Sequence, residues 1–262
     1  MTRLLHFGCS FAVGNAVPSH IPGLESGAYI HKQQVRRKLE KKYNIKIGMP
    51  TNYGKIIADR LSLAYEPRVL NGGSNEKIMR ELVHSELKDC FVLIGITSGN
   101  RREALTTSRN LLRDRNSHWQ TWKMIGPQDA KKYKDLCFDP WGQDFTVALE
   151  HDAQLRTIIQ ILYMQALLKA NKVRYLMFNA LDNGFDTPLN KEAKELLEKV
   201  DTKFFLDLTA GPSYTQHGWC LRNKELVVSE IDEHPNVQGQ QAWAEKLMPL
   251  VSELLKEDEP WT

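Results

Sequence analysis

Apolar residues fall along the chain in short runs separated by amphipathic stretches, the pattern of buried strands alternating with helices. Five runs, at residues 4–7, 68–70, 91–96, 174–178 and 204–208, are short enough to be strands and predict a sheet covered on both faces. Between them, residues 55–63, 76–87, 154–168 and 191–200 carry helical spacing. In the third of these, Leu155, Ile158, Ile159, Leu162 and Ala166 share one face and predict the side that meets the sheet. A last helix over residues 238–255 is expected beside the first strand. The alternation predicts an α/β fold, a three-layer α/β/α sandwich around a flavodoxin-like, mostly parallel five-stranded sheet.

Two segments exceed this minimal pattern, residues 14–50 and residues 104–150. Both leave the carboxyl end of a predicted strand, and segments of that length in a compact domain carry function or structure of their own. They read as insertions in one domain spanning residues 1–262. The first holds a basic run, Lys32, Arg36, Arg37, Lys38, Lys41, Lys42 and Lys46, with Glu40 as its internal acid. A solvated helix face accounts for that run better than a nucleic-acid surface does. The second holds Trp119, Trp122, Tyr133, Phe138, Trp141 and Phe145, which read as the core of a small subdomain or as an aromatic rim for substrate. No internal repeat is visible, and the acidic tail from residue 256 is expected to fray.

Composition narrows the function classes. Over 262 residues, 42% hydrophobic and 26% charged content is that of a soluble globular protein, and a net charge of +3 does not by itself indicate nucleic acid. Cys9, Cys90, Cys137 and Cys220 are widely spaced, unlike a zinc site, and read as free thiols in a reducing compartment. His217 and Cys220 lie close together, but nothing nearby completes a tetrahedral set, so no metal site is expected. The most apolar helix is interrupted by Arg156, Gln160 and Gln165 and falls short of the ~20 apolar residues of a membrane span. With no leader-like start, the expectation is a soluble cytoplasmic protein.

Candidate chemistry sits at the two ends of the chain. Gly8-Cys9-Ser10 closes the first predicted strand, and open α/β sheets place ligands at carboxyl ends of strands. Asp232 and His234 precede the last helix. A histidine supplies the base that a serine hydroxyl needs, and a carboxylate orients that base. Glu230 and Glu233 compete with Asp232 for the orienting role. The plainer reading makes Ser10 a small residue ending a strand and Asp232 a helix cap.

With these residues in view, the chain resembles the SGNH (GDSL-like) hydrolases. Gly8-Cys9-Ser10 matches the block that carries the nucleophile, with cysteine at its centre, and Gly73 within Asn71-Gly72-Gly73-Ser74-Asn75 matches the glycine block. Asp232, His234 and Pro235 match the last block, with Asp-x-His where the family more often has Asp-x-x-His. The third block departs. Where the family carries Gly-x-Asn-Asp, this chain reads Gly95-Ile96-Thr97-Ser98-Gly99-Asn100-Arg101, putting Thr97 in the place of the oxyanion-binding asparagine, or Asn100 after a three-residue shift.

The resemblance implies a serine esterase without cofactor, acting on a small-molecule or glycan ester. Ser10 is its nucleophile, His234 its base and Asp232 its orienting acid. The N–H groups of Ser10 and Gly73, with Thr97 or Asn100, form the oxyanion hole. Arg101, Trp119 and Trp122 are candidate substrate contacts. The sequence is also similar to SGNH-like proteins of large tailed phages, which leaves room for virion association and for a rival role as a non-catalytic binding or structural module.

Overall fold

A computed structural model describes residues 2–13, 37–38, 40–42, 44, 51–69, 73–105, 119–123, 145–228 and 233–257. The described part is an α/β sandwich around a parallel sheet of five strands in the order β2-β1-β3-β6-β7, with a separate antiparallel pair, β4-β5. The strands are β1 (Arg3–Gly8), β2 (Ala64–Val69), β3 (Cys90–Ile96), β4 (Arg101–Leu105), β5 (Trp119–Lys123), β6 (Arg174–Asn179) and β7 (Phe205–Leu206). The helices are α1 (Ser10–Val13), α2 (Tyr53–Arg60), α3 (Asn75–Val83), α4 (Phe145–Ala170), α5 (Lys191–Leu197), α6 (Gln216–Leu221) and α7 (Val237–Lys256).

Every residue of β3 is buried, as expected of a central strand with helices on both faces. α2 and α7 pack together on one face, and α3 and α4 on the other. An aromatic chain ties the first layer to the sheet. Tyr53 of α2 lies edge-on to Phe178 of β6 at 5.7 Å, and Phe178 meets Trp243 of α7 at 5.3 Å. α7 therefore sits over β6 and against α2, not beside the first strand as its position in the sequence suggested. Trp243, fully buried, needs the broad apolar surface that β6 offers.

Three further expectations are corrected. The second strand begins at Ala64, four residues before the predicted start, and includes Pro67 opposite His6. Proline is tolerated there because β2 is an edge strand. The last strand is only Phe205–Leu206, because Asp201 caps a 3-10 turn over Thr202–Phe204 by accepting from the Lys203 N–H. The buried face of α4 is rotated from the predicted one. Ile158, Ile161, Met164 and Leu168 point inward, while Ile159 is half exposed.

Four polar residues share that inner face of α4, Gln154, Thr157, Gln160 and Gln165, and a count of apolar positions passes over them. Gln154 donates to the Gly184 carbonyl at 2.9 Å, and Gln165 exchanges two 3.0 Å bonds with the Asp201 backbone. Such bonds make buried amides affordable. α4 also starts at Phe145, so the last six residues assigned to the second insertion are helix. Of the rest of that insertion, only residues 104–105 and 119–123 are described. The first insertion lies outside the described residues apart from a few positions, among them Arg37, Lys38 and Lys41, which are helical and exposed.

Cys9, Cys90 and Cys220 are free and buried, and burial pushes the Cys90 thiol up to about 11 and the Cys220 thiol up to about 12. Cys137 and the tail beyond residue 257 lie outside the described residues. Among the described residues, no helix is long and apolar enough to cross a membrane, and no cluster of three or more His, Cys, Asp or Glu could hold a metal ion.

Candidate active site

β1 delivers Ser10 to the carboxyl edge of the sheet, between β2 and β3, where the strand order reverses direction. Open sheets bind ligands at that switch point. The chain turns at Cys9 and enters the four-residue helix α1, with the Ala12 N–H donating to the Cys9 carbonyl at 2.9 Å. This turn folds back over Gly8. A Cβ at position 8 would lie 2.6 Å from the Ala12 Cβ, so glycine is needed there for close approach.

His234 arrives from the other end of the chain. Its Nε2 lies 2.8 Å from Ser10 Oγ, across 224 residues of sequence, and the hydroxyl is placed to donate to that nitrogen. The loop holding His234 is pinned by backbone pairing, in which Val228 N–H donates to the His234 carbonyl and Asn236 N–H to the Leu226 carbonyl, each at 2.9 Å. Asn236 finishes the loop. Its Oδ1 caps α7 by accepting from Gly239 N–H, and its Nδ2 donates to the carbonyls of Glu225 and Val227. The imidazole of His234 stacks on Phe11 at 4.6 Å with an interplanar angle of 27°. The residue after the serine is thus the platform for the histidine.

Asp232 lies outside the described residues, as does Glu230. Glu233, the other carboxylate considered, is directed elsewhere, with Oε2 2.9 Å from His217 Nε2. His217, considered above for metal binding, has a carboxylate partner instead. Its ring also lies edge-on to Phe11, at 5.2 Å.

Gly73 is buried at the turn into α3, where Ser74 caps the helix by accepting from Lys77 N–H at 3.2 Å. Thr97 follows β3 and is fully buried. Its backbone is locked to Asn75, which accepts from Thr97 N–H at 2.9 Å and donates to the Thr97 carbonyl at 3.0 Å. The Thr97 hydroxyl has no hydrogen-bond partner among the described residues. Asn100, three residues on, is exposed. The turn between them is anchored through Gly99, whose carbonyl accepts from Arg156 at 2.6 Å and whose N–H donates to Asn183 at 2.9 Å.

Arg101 opens β4 and donates to the Gly73 carbonyl at 3.3 Å, joining the glycine block to the third block. Trp119 and Trp122 stand on β5, opposite Leu105 and Arg102. The structure thus brings Ser10 to His234, and Gly73 to Arg101, while α3 and β3 meet through Asn75 and Thr97. Sequence reasoning missed the pairing of His217 with Glu233 and the glutamines Gln216 and Gln240, which reach the turn after Ser10. Gln240 left a signal. It occupies a core-facing position in the stripe Gln240, Trp243, Ala244, Leu247, Val251, Leu254 of α7.

No family model matches the chain, and no curated protein is significantly similar to it. Solved structures similar to this chain include the following two. A protein assigned to the G-D-S-L lipolytic family of Desulfitobacterium hafniense DCB-2 is 12% identical, with a TM-score of 0.43 over 95% of this chain and 99% of that one. A carbohydrate esterase, whose active site is described as having divergent catalytic and non-catalytic binding functions, is 14% identical, with a TM-score of 0.44 over all of this chain and 67% of that one.

Proposed function

We propose that the protein is a serine-dependent ester hydrolase of SGNH type. The observation that carries this reading is the 2.8 Å approach of His234 Nε2 to Ser10 Oγ at the carboxyl edge of β1. Ser10 attacks the ester carbonyl as His234 takes the hydroxyl proton, and the imidazolium then delivers that proton to the departing alcohol. Water, activated by the same imidazole, releases the acid and restores the serine. Asp232 is assigned to hold the ring in its productive tautomer, with Glu233 engaged by His217. Backbone N–H groups of Ser10 and Gly73 are assigned to the developing oxyanion, with a side-chain donor from Thr97 or Asn100.

An ester of a polyhydroxylated alcohol, such as an acetylated glycan, is the substrate class we favour. His217 lies edge-on to Phe11, the residue after the serine, and is hydrogen-bonded to Glu233, polar groups that suit a hydroxylated alcohol half. The segment that begins at β4 leaves the same edge of the sheet as Ser10, and we assign it the role of shaping substrate entry.

The second reading, a binding module without turnover, rests on Thr97. Its hydroxyl has no exposed surface from which to meet a substrate oxygen. Hydrolysis of p-nitrophenyl acetate separates the two. Turnover that Ser10→Ala and His234→Ala each lower by about 10³-fold or more supports the hydrolase. Turnover that is absent, or indifferent to both changes, supports the module.

A further inference from the structure

We infer that Gln240 is a positioning residue for the nucleophile turn, with Gln216 in a supporting role. The inference rests on the hydrolase reading and adds to it the element that holds Ser10 in place. Gln240 is 1% exposed and sits one turn into α7, on the helix that His234 introduces. Its single amide spans two other elements. Nε2 donates to the Phe11 carbonyl at 2.9 Å, and Oε1 accepts from Tyr53 N–H at 3.1 Å, the first N–H of α2. Both functions of the amide are used, so its orientation is determined.

Gln216, fully buried at the start of α6, sends its Nε2 to the same Phe11 carbonyl at 3.4 Å. Two glutamines from two helices therefore converge on one carbonyl, that of the residue directly after the nucleophile. α1 has only four residues, too short for its own hydrogen bonds to fix its axis. Its placement depends on ties from outside. The Phe11 ring is the platform for the His234 imidazole, so a shift of this turn moves the serine and the base support together. A displacement of about 1 Å at a reacting group costs about 10²-fold in rate.

The buried glutamine also stands where the stripe of α7 would otherwise be apolar, and burying an amide is unfavourable unless its bonds are made. A leucine or methionine would fill the same space without that requirement. Gln240 contacts neither a reacting atom nor open solvent, and its effect reaches the reaction through Phe11.

The test compares Gln240→Met with Val251→Ala, a core change on the same helix away from the turn. For p-nitrophenyl acetate, Gln240→Met is expected to lower kcat by about 10- to 100-fold and to leave KM within about twofold, while Val251→Ala keeps both. The His234 ring signals in the proton–carbon NMR spectrum, assigned by their loss in His234→Ala, are expected to move in Gln240→Met and to stay in place in Val251→Ala. Wild-type kcat in folded Gln240→Met overturns the inference. If Gln240→Met does not fold, Gln216→Met decides by the same criteria, with a smaller loss expected from its longer bond. If the wild type does not hydrolyse esters at all, the hydrolase reading has failed, and the NMR comparison alone decides, with unmoved His234 signals overturning the positioning role.

Discussion

His6 makes the stability of this fold depend on pH in a way that can be calculated from the structure. It lies in the middle of β1 with no exposed surface, and its Nδ1 is 3.0 Å from the Tyr65 hydroxyl oxygen. Tyr65 donates its own proton to Asn52 Oδ1 at 2.8 Å. The Tyr65 oxygen must then accept from His6, which fixes the Nδ1–H tautomer. Nε2 is left as a bare, buried acceptor with no partner among the described residues, and the ring stands edge-on to Tyr53 at 4.5 Å. Protonation would place a charge and a new N–H where no acceptor waits. Burial accordingly holds His6 down to about 3 from its ordinary 6.5, with the polar link to Asn52 opposing slightly.

The sign follows from which state binds the proton. Below 6.5 the unfolded chain protonates this histidine while the folded chain does not until about 3, so this stability is intact above 6.5 and is lost as pH falls between those values. At about 1.4 kcal/mol per pH unit, the loss at pH 4.5 is about 3 kcal/mol, and the whole interval is worth about 5 kcal/mol. His6→Gln keeps a donor for Tyr65 but cannot titrate. Urea unfolding at about pH 7.5 and about pH 4.5 gives the comparison, with equal slopes as the check on two-state behaviour. The wild type should lose about 3 kcal/mol more than His6→Gln across that interval. If the two lose the same amount within about 0.5 kcal/mol, His6 is not held neutral by burial and the reasoning fails.

The remaining predictions concern the candidate site. Thr97→Val removes a buried hydroxyl that has no hydrogen-bond partner among the described residues, so the thermal midpoint should hold or rise. If Thr97 is the side-chain oxyanion donor, turnover should nevertheless fall by roughly 10–10³-fold. If Asn100 is the donor, Asn100→Ala should produce that loss instead, and indifference to both leaves the hole to backbone groups. Gly8→Ala puts a methyl 2.6 Å from the Ala12 Cβ, so it should displace the serine turn and cost about 1–3 kcal/mol by chemical denaturation. A Gly8→Ala protein with wild-type stability and turnover would show that the turn does not need this close approach.

The parts of this fold that the sequence disclosed are those whose physics is local. The three inner strands, β1, β3 and β6, are covered on both faces, and their buried residues read as apolar runs, interrupted in β1 by His6. The edges did not read that way. β2 is partly exposed and contains Pro67, so its apolar signature fades over half its length. β7 pairs through only two residues. The inner face of α4 was concealed by glutamines and a threonine whose burial depends on partners such as Gly184 and Asp201, distant in sequence. At the candidate site, Ser10 and His234 were legible from their order and from their places after β1 and before α7. The pairing of Glu233 with His217 and the two amides on the Phe11 carbonyl were not, because each depends on α6 and α7 docking around one short turn.

The central claim is that Ser10 is a nucleophile activated by His234, and covalent capture tests it most directly. Wild type, Ser10→Ala and His234→Ala would each be exposed to a fluorophosphonate probe at neutral pH and digested, and the modified peptide identified by mass spectrometry. The account predicts one adduct per chain, on Ser10. Labelling should be absent in Ser10→Ala and slowed by about 10³-fold or more in His234→Ala. A wild-type protein that stays unlabelled, or one whose adduct lies on another residue and persists in Ser10→Ala, would contradict it.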